Sequence, residues 1–193
     1  SAWTVEATTS TTRPEGTGEA GTQTAGLVYG GAPAIAATEA YDGSAWSAKP
    51  SMGTGRGEIG FGGSQTAALA VAGSPPSPAP LGVTEEYNVS TTVTTPASWS
   101  AGGSLINGVF GRNFTNQGTQ NAGNVNGGYA PYKDATEEYN GSSWTAGGTS
   151  ANARYFGTGG GTQTAGLVMG GGVPPSAGGG ATDKTEEYDG SSW

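Results

Sequence analysis

The sequence predicts an all-β protein built from four copies of one four-stranded antiparallel unit. Three observations predict it. A set of motifs recurs four times in a fixed order, each copy carries turn signals at matching places, and no segment of helical length shows a 3.6-residue apolar period. Thr-Glu-x-Tyr stands at Thr38–Tyr41, Thr84–Tyr87, Thr136–Tyr139 and Thr185–Tyr188, and Gly-x-Gln begins at Gly21, Gly63, Gly118 and Gly161. Trp3, Trp46, Trp99, Trp144 and Trp193 are 43, 53, 45 and 49 residues apart, and Arg13, Arg56, Arg112 and Arg154 fall in one phase of the repeat. Composition alone points toward low complexity, since 38 glycines and 11 prolines make up about a quarter of the 193 residues. Scattered low complexity would not keep Trp, Tyr, Arg and Glu in register, so the chain is read as ordered.

The repeat divides the chain into units at residues 10–51, 52–103, 104–148 and 149–193. Residues 1–9 read as strand d of a preceding unit, and the last unit's strand d is truncated. Strand a follows the Arg and is Gly-rich, as in Ile59–Gly63 and Phe156–Gly160. Strand b ends in a step at Gly30-Gly31, Ala72-Gly73, Gly127-Gly128 and Gly170-Gly171. Strand c carries Glu-x-Tyr, with Glu39, Glu85, Glu137 and Glu186 and with Tyr41, Tyr87, Tyr139 and Tyr188. Strand d opens on Trp. Alternation places Glu85 and Tyr87 on one face of strand c and Glu86 on the other. The segments 41–46, 139–144 and 188–193 read as tight hairpins, whose Asp-Gly and Asn-Gly pairs predict type I′ turns.

The unit resembles the kelch repeat, which has an Arg ahead of strand a, Gly-Gly ending strand b, Glu-x-Tyr in strand c and Trp in strand d. All four appear here in order over essentially the whole chain. The Tyr-to-Trp hairpin is shorter than in kelch units, and the strands are unusually rich in Gly, Ala and Thr. The resemblance implies a β-propeller of four-stranded blades with strand a at the axis, where Gly lets backbones approach. The two ends of the chain fall in the same phase, at Trp3 and Trp193, so these four units are expected to belong to a longer array or a larger ring.

Missing residue types remove much chemistry. With no His and no Cys there is no His- or thiol-based nucleophilic catalysis, no His/Cys zinc site and no disulfide framework. The net charge of −8, with only seven scattered cations, speaks against nucleic acid, and no apolar run reaches membrane-span length. No metal or other cofactor is expected. The repeated Arg and Glu could form a ring of acid/base groups, but catalysis needs asymmetry and these positions are equivalent. The favoured reading is an ion pair that fixes each blade. Asp42 and Asp189 could offer oxygen to Ca²⁺, but an Asx-turn in a hairpin is favoured. Tyr-Asp-Gly-Ser-Ser-Trp resembles the Asp-box of sialidase propellers, with a gap one residue short and without clustered arginines.

Insertions carry what remains. Residues 74–83 and 173–184 lengthen the b–c connection, and 105–107 lie in a lengthened d–a connection on the same face. This face is either neutral drift or a binding surface, and Phe110, Phe114, Asn116 and Tyr132 are its least repeat-like candidates for ligand contact. The insertion 88–98 lies on the opposite face and reads as an elongated hairpin. The Trp residues of strand d are expected to pack between neighbouring blades. The pattern is also similar to kelch-like arrays of phage tail-fibre and virion proteins and of bacterial surface proteins. That similarity implies a non-enzymatic adhesion module on a virion or extracellular surface. Its partners would be a host surface glycan or protein, together with other copies or neighbouring repeats of the assembly. The alternatives are a purely structural spacer or decoration unit and, less favoured, a glycan-processing propeller enzyme.

Overall fold

The computed structural model describes residues 6–75, 81–89, 97–109, 116–129 and 131–193. Fifteen strands and one short 3-10 turn at Pro175–Ala177 make up its regular structure. The first blade comprises β1 (Thr17–Thr22), β2 (Ala25–Gly30), β3 (Thr38–Tyr41) and β4 (Trp46–Lys49). The second comprises β5 (Gly60–Ser64), β6 (Ala67–Val71), β7 (Thr84–Asn88) and β8 (Ser98–Ala101). The third comprises β9 (Asn116–Thr119), β10 (Ala122–Asn126), β11 (Ala135–Tyr139) and β12 (Trp144–Thr149). The fourth has three strands, β13 (Thr158–Thr162), β14 (Ala165–Met169) and β15 (Thr185–Tyr188). Strands pair antiparallel in chain order within each blade. The four sheets are arranged as blades of a β-propeller.

The innermost strands lie side by side in sequence order, β1 against β5, β5 against β9 and β9 against β13. β9 and β13 approach closely enough to pair in parallel, Asn116 opposite Gly160 and Gln117 opposite Gly161, which fuses the last two blades into one seven-stranded sheet. Among the described strands no comparable packing joins β13 to β1.

Each a–b hairpin turns through a two-residue loop beginning with the repeated Gln. The preceding glycine is required there: Gly21 has φ +102°, and a Cβ on it would lie 2.0 Å from the carbonyl oxygen of Ala25. The c–d hairpins differ from the type I′ turns that the sequence predicts. Only their glycines are left-handed, Gly43 at φ 95°, Gly141 at 91° and Gly190 at 93°. The preceding Asp or Asn is not, because its side chain is committed to closing the loop. Asp42 Oδ1 accepts the amides of Ser44 at 2.9 Å and Ala45 at 2.8 Å, and Asn140 and Asp189 do the same in their blades. These bonds hold the Asp189 carboxyl at a pKa of about 2, led by the Ser192 amide. Strand a of the fourth blade also starts later than predicted, at Thr158, because Phe156 at φ 52° cannot continue a strand. The insertion 88–98 lies largely outside the described residues.

The repeated Arg and Glu pair within blades. Arg13 meets Glu39 at 2.5 Å, and Arg56–Glu85 and Arg154–Glu186 are equivalent, all with buried or nearly buried side chains. Each Arg also donates to the carbonyl ending strand b and to the one just before strand c. For Arg56 these are Ala72 and Val83, both at 3.1 Å, and for Arg154 they are Gly170 at 3.3 Å and Lys184 at 3.0 Å. Each Glu in turn accepts amides of the segment leading into its blade: Ser10 at 2.7 Å for Glu39, Gly53 at 2.6 Å for Glu85, Ile106 at 2.7 Å for Glu137 and Ala151 at 2.8 Å for Glu186. One ion pair thereby fastens both loops at one end of a blade. Burial raises the Glu39 pKa, but bonds from Arg13 and Ser10 more than offset it and hold the carboxyl near 2. Arg112 lies outside the described residues.

Neighbouring blades join by a repeated set of donors. The Gln that opens each hairpin reaches back to two paired carbonyls: Gln65 to Gly26 and Tyr41, Gln120 to Ala68 and Tyr87, and Gln163 to Gly123 and Tyr139. The Trp indole donates to the strand-c Thr of the previous blade: Trp99 to Thr38 at 3.2 Å, Trp144 to Thr84 at 3.0 Å and Trp193 to Thr136 at 2.7 Å. The strand-c Tyr donates to the second Glu of the previous blade, Tyr139 to Glu86 at 2.5 Å and Tyr188 to Glu138 at 2.6 Å. In the first blade Ala40 occupies that acceptor position. Apolar side chains fill the spaces between blades. Leu27, Tyr29, Ala68, Ala70 and Tyr87 pack at the first junction, and Leu69, Val71, Val125, Tyr139 and Trp144 at the second. Asn124 replaces leucine at the third and donates to the Gln163 carbonyl at 3.1 Å.

Candidate functional site

The same face of the propeller that carries the b–c and d–a connections holds a cluster of four aromatic rings. Tyr129 and Tyr132 come from the b–c connection of the third blade, and Tyr155 and Phe156 from the segment entering β13. Ring centroids lie 5.3 Å apart for Tyr129–Tyr132, 5.2 Å for Tyr129–Tyr155, 5.5 Å for Tyr132–Tyr155 and 5.5 Å for Tyr155–Phe156. Geometries from tilted to edge-on are those that aromatic quadrupoles favour.

The backbone explains why these rings meet. The Gly128 amide donates to the Arg154 carbonyl at 2.9 Å, as the Gly31 amide does to Arg56 in the first two blades. The b–c connection of one blade is thus tied to the Arg segment of the next. Lys133 closes the connection on itself, its amide donating to the Gly128 carbonyl at 3.1 Å. Tyr155 pairs with Gly172 through two backbone hydrogen bonds of 3.0 and 2.7 Å, and its ring lies over that glycine. A Cβ at Gly172 would stand 2.4 Å from Tyr155 Cζ, so only glycine lets the ring lie there.

Three of the four rings remain open to solvent: Phe156 is 55% exposed, Tyr129 37% and Tyr132 36%. Phe156 takes the left-handed backbone that Gly16 and Glu58 take at the same place in the first two blades, so that conformation belongs to the repeat, and what is particular here is a large apolar ring left exposed on it. The Tyr132 hydroxyl is held above its ordinary pKa by partial desolvation and by the neighbouring Tyr129 and Tyr155 hydroxyls, so it stays neutral and able to donate. The cluster therefore offers ring faces for stacking and phenolic groups for hydrogen bonding.

Of the four ligand candidates read from the sequence, Tyr132 lies in this cluster. Asn116 opens β9 at the axis, and Phe110 and Phe114 lie outside the described residues. Sequence reading missed Tyr129, Tyr155 and Phe156. A signal was present: the residues after the repeated Arg are Pro14 and Gly57 in the first two units but Tyr155 in the fourth. The other singled-out positions are structural. Arg13, Arg56 and Arg154 and the four glutamates fasten loops, while Tyr87, Tyr139, Tyr188, Trp99, Trp144 and Trp193 form the junctions. Tyr41 and Trp46 stack on each other at 5.1 Å on the outward side of the first blade, and Trp3 lies outside the described residues.

The chain is thus a β-propeller-type protein whose repeated charges serve the framework and whose exposed aromatics gather at one blade junction. A solved structure titled "Structure of YjhT" is similar to it, with a TM-score of 0.62 and 14% identity over 78% of this chain and 48% of that one. At that identity the likeness shows the fold alone, and this chain spans about half the length of that structure. No family model matches the sequence, and no curated protein matches it.

Proposed function

We propose that this chain is a kelch-like, non-enzymatic adhesion module of a virion or other extracellular surface, of the phage tail-fibre or bacterial surface-protein kind, which binds host surface carbohydrate. The observation that carries this reading is the exposed cluster of Tyr129, Tyr132, Tyr155 and Phe156. Pyranose rings present apolar C–H faces that stack on aromatic rings, and tyrosine hydroxyls hydrogen-bond their hydroxyls. The described Arg–Glu pairs are buried in loop fastening, which leaves them unsuited to acid/base work. The acidic, Cys-free, Met-poor composition suits an exposed oxidising environment.

A glycan array tests the proposal. The protein should bind a defined subset of glycans without turning them over, and Tyr132→Ala should abolish that binding while leaving the melting curve in place. Hydrolysis of a bound glycan would support the enzyme reading instead. Absence of binding to any surface glycan would support the spacer reading.

A further inference from the structure

The donor set that joins blades is present once more than it is used. At each internal junction the later blade gives a Gln and a Trp, which the earlier one receives on two paired carbonyls and a strand-c Thr, and at the second and third junctions a Tyr also donates to a strand-c carboxylate. Blade one carries the same donors, Gln23, Tyr41 and Trp46, with no earlier blade to receive them among the described residues. Gln23 is exposed, whereas Gln65, Gln120 and Gln163 are half-buried or buried. A groove of about 490 Å³ lies open over Tyr41 and Trp46, walled by Glu6, Thr22, Gln23 and Gly43.

Blade four carries the matching acceptors. Its Gly166 and Tyr188 are paired as Gly26 and Tyr41 are in blade one, and Thr185 and Glu187 stand where Thr136 and Glu138 receive Trp193 and Tyr188. Thr185 and Glu187 are exposed, and Met169 is 37% exposed where its counterpart Val71 is 1% exposed beneath the next blade.

We propose that this face of blade four docks blade one of a second copy of the chain, head to tail. Gln23 of the incoming copy would donate to the Gly166 and Tyr188 carbonyls, its Trp46 indole to Thr185 and its Tyr41 hydroxyl to Glu187. The carboxylate makes this junction more complete than the first internal one, where Ala40 stands at the acceptor position. The contact is heterologous, so copies join into a closed ring or an open chain.

Sedimentation of the whole 193-residue chain and two variants tests this. Gln23→Glu sets a carboxylate against the two carbonyls, and Thr185→Arg with Glu187→Arg blocks the acceptor face. All three positions are exposed, so an unchanged melting curve verifies folding. The wild-type chain should sediment at twice its monomer mass or more. Each variant alone should be monomeric, and an equimolar mixture should give a one-to-one dimer, because each variant retains the face that the other lacks. A wild-type chain that remains monomeric overturns the proposal and assigns the face to a further blade of the same polypeptide. Assembly that survives both variants overturns it as well, by placing the contact elsewhere.

Discussion

Tyr188 of the fourth blade donates its hydroxyl to Glu138 of the third at 2.6 Å and accepts the Gly148 amide at 3.3 Å. Tyr139 makes the same pair of contacts one junction earlier, to Glu86 at 2.5 Å and from Gly103 at 3.4 Å. Burial first, and then the partner carboxylate, push both phenols up to about 12. A phenol whose folded pKa exceeds its unfolded value contributes stability that is fully present below pH 10 and lost as pH rises toward 12. The melting temperature should therefore fall between pH 10 and 12, and a Tyr139→Phe, Tyr188→Phe chain should show a flatter fall. Equal slopes would place the alkaline sensitivity in other groups.

Arg56 is fully buried and holds Glu85, the end of β6 and the approach to β7 together. Arg56→Ala leaves a nearly buried carboxylate without its cation and should cost about 3–5 kcal/mol in a denaturant titration. Arg56→Lys should recover only part of the loss, because an ammonium cannot span the carboxylate and both carbonyls.

Trp144 is 6% exposed between Leu69, Val71, Val125 and Tyr139, with its indole bonded to Thr84. Trp144→Ala should cost about 3–5 kcal/mol by the cavity it leaves. The half-buried Trp46 should lose less on the same change, measured at concentrations where the chain is monomeric.

Phe156 combines a left-handed backbone at φ 52° with 55% exposure, and the corresponding segment of the first unit has Gly16 at φ 68°. Phe156→Gly relieves about 1–2 kcal/mol of left-handed strain, less about 0.4–1 kcal/mol for the freer unfolded chain. Thermal stability should hold or rise while glycan binding weakens. A variant that melts earlier and binds unchanged would make the ring a packing element.

The sequence by itself determined the blades. Fixed spacings among Arg, Gly-Gly, Glu-x-Tyr and Trp set the strand order and the four units, because strand alternation and a repeated period constrain what lies within one sheet, while the pairing of Arg with Glu inside each described blade is decided by the tertiary structure. It could not give the turn type at Asp42, where the side chain's two amide bonds outweigh the Asp-Gly preference for a type I′ loop. Nor could it show that Tyr129 and Tyr132 meet Tyr155 and Phe156, or that Tyr188 finds Glu138, 50 residues away. Periodicity says which face a side chain takes. What stands opposite that face is set by how neighbouring blades are tied together, through contacts such as the Gly128 amide on the Arg154 carbonyl, and only the tertiary structure decides it.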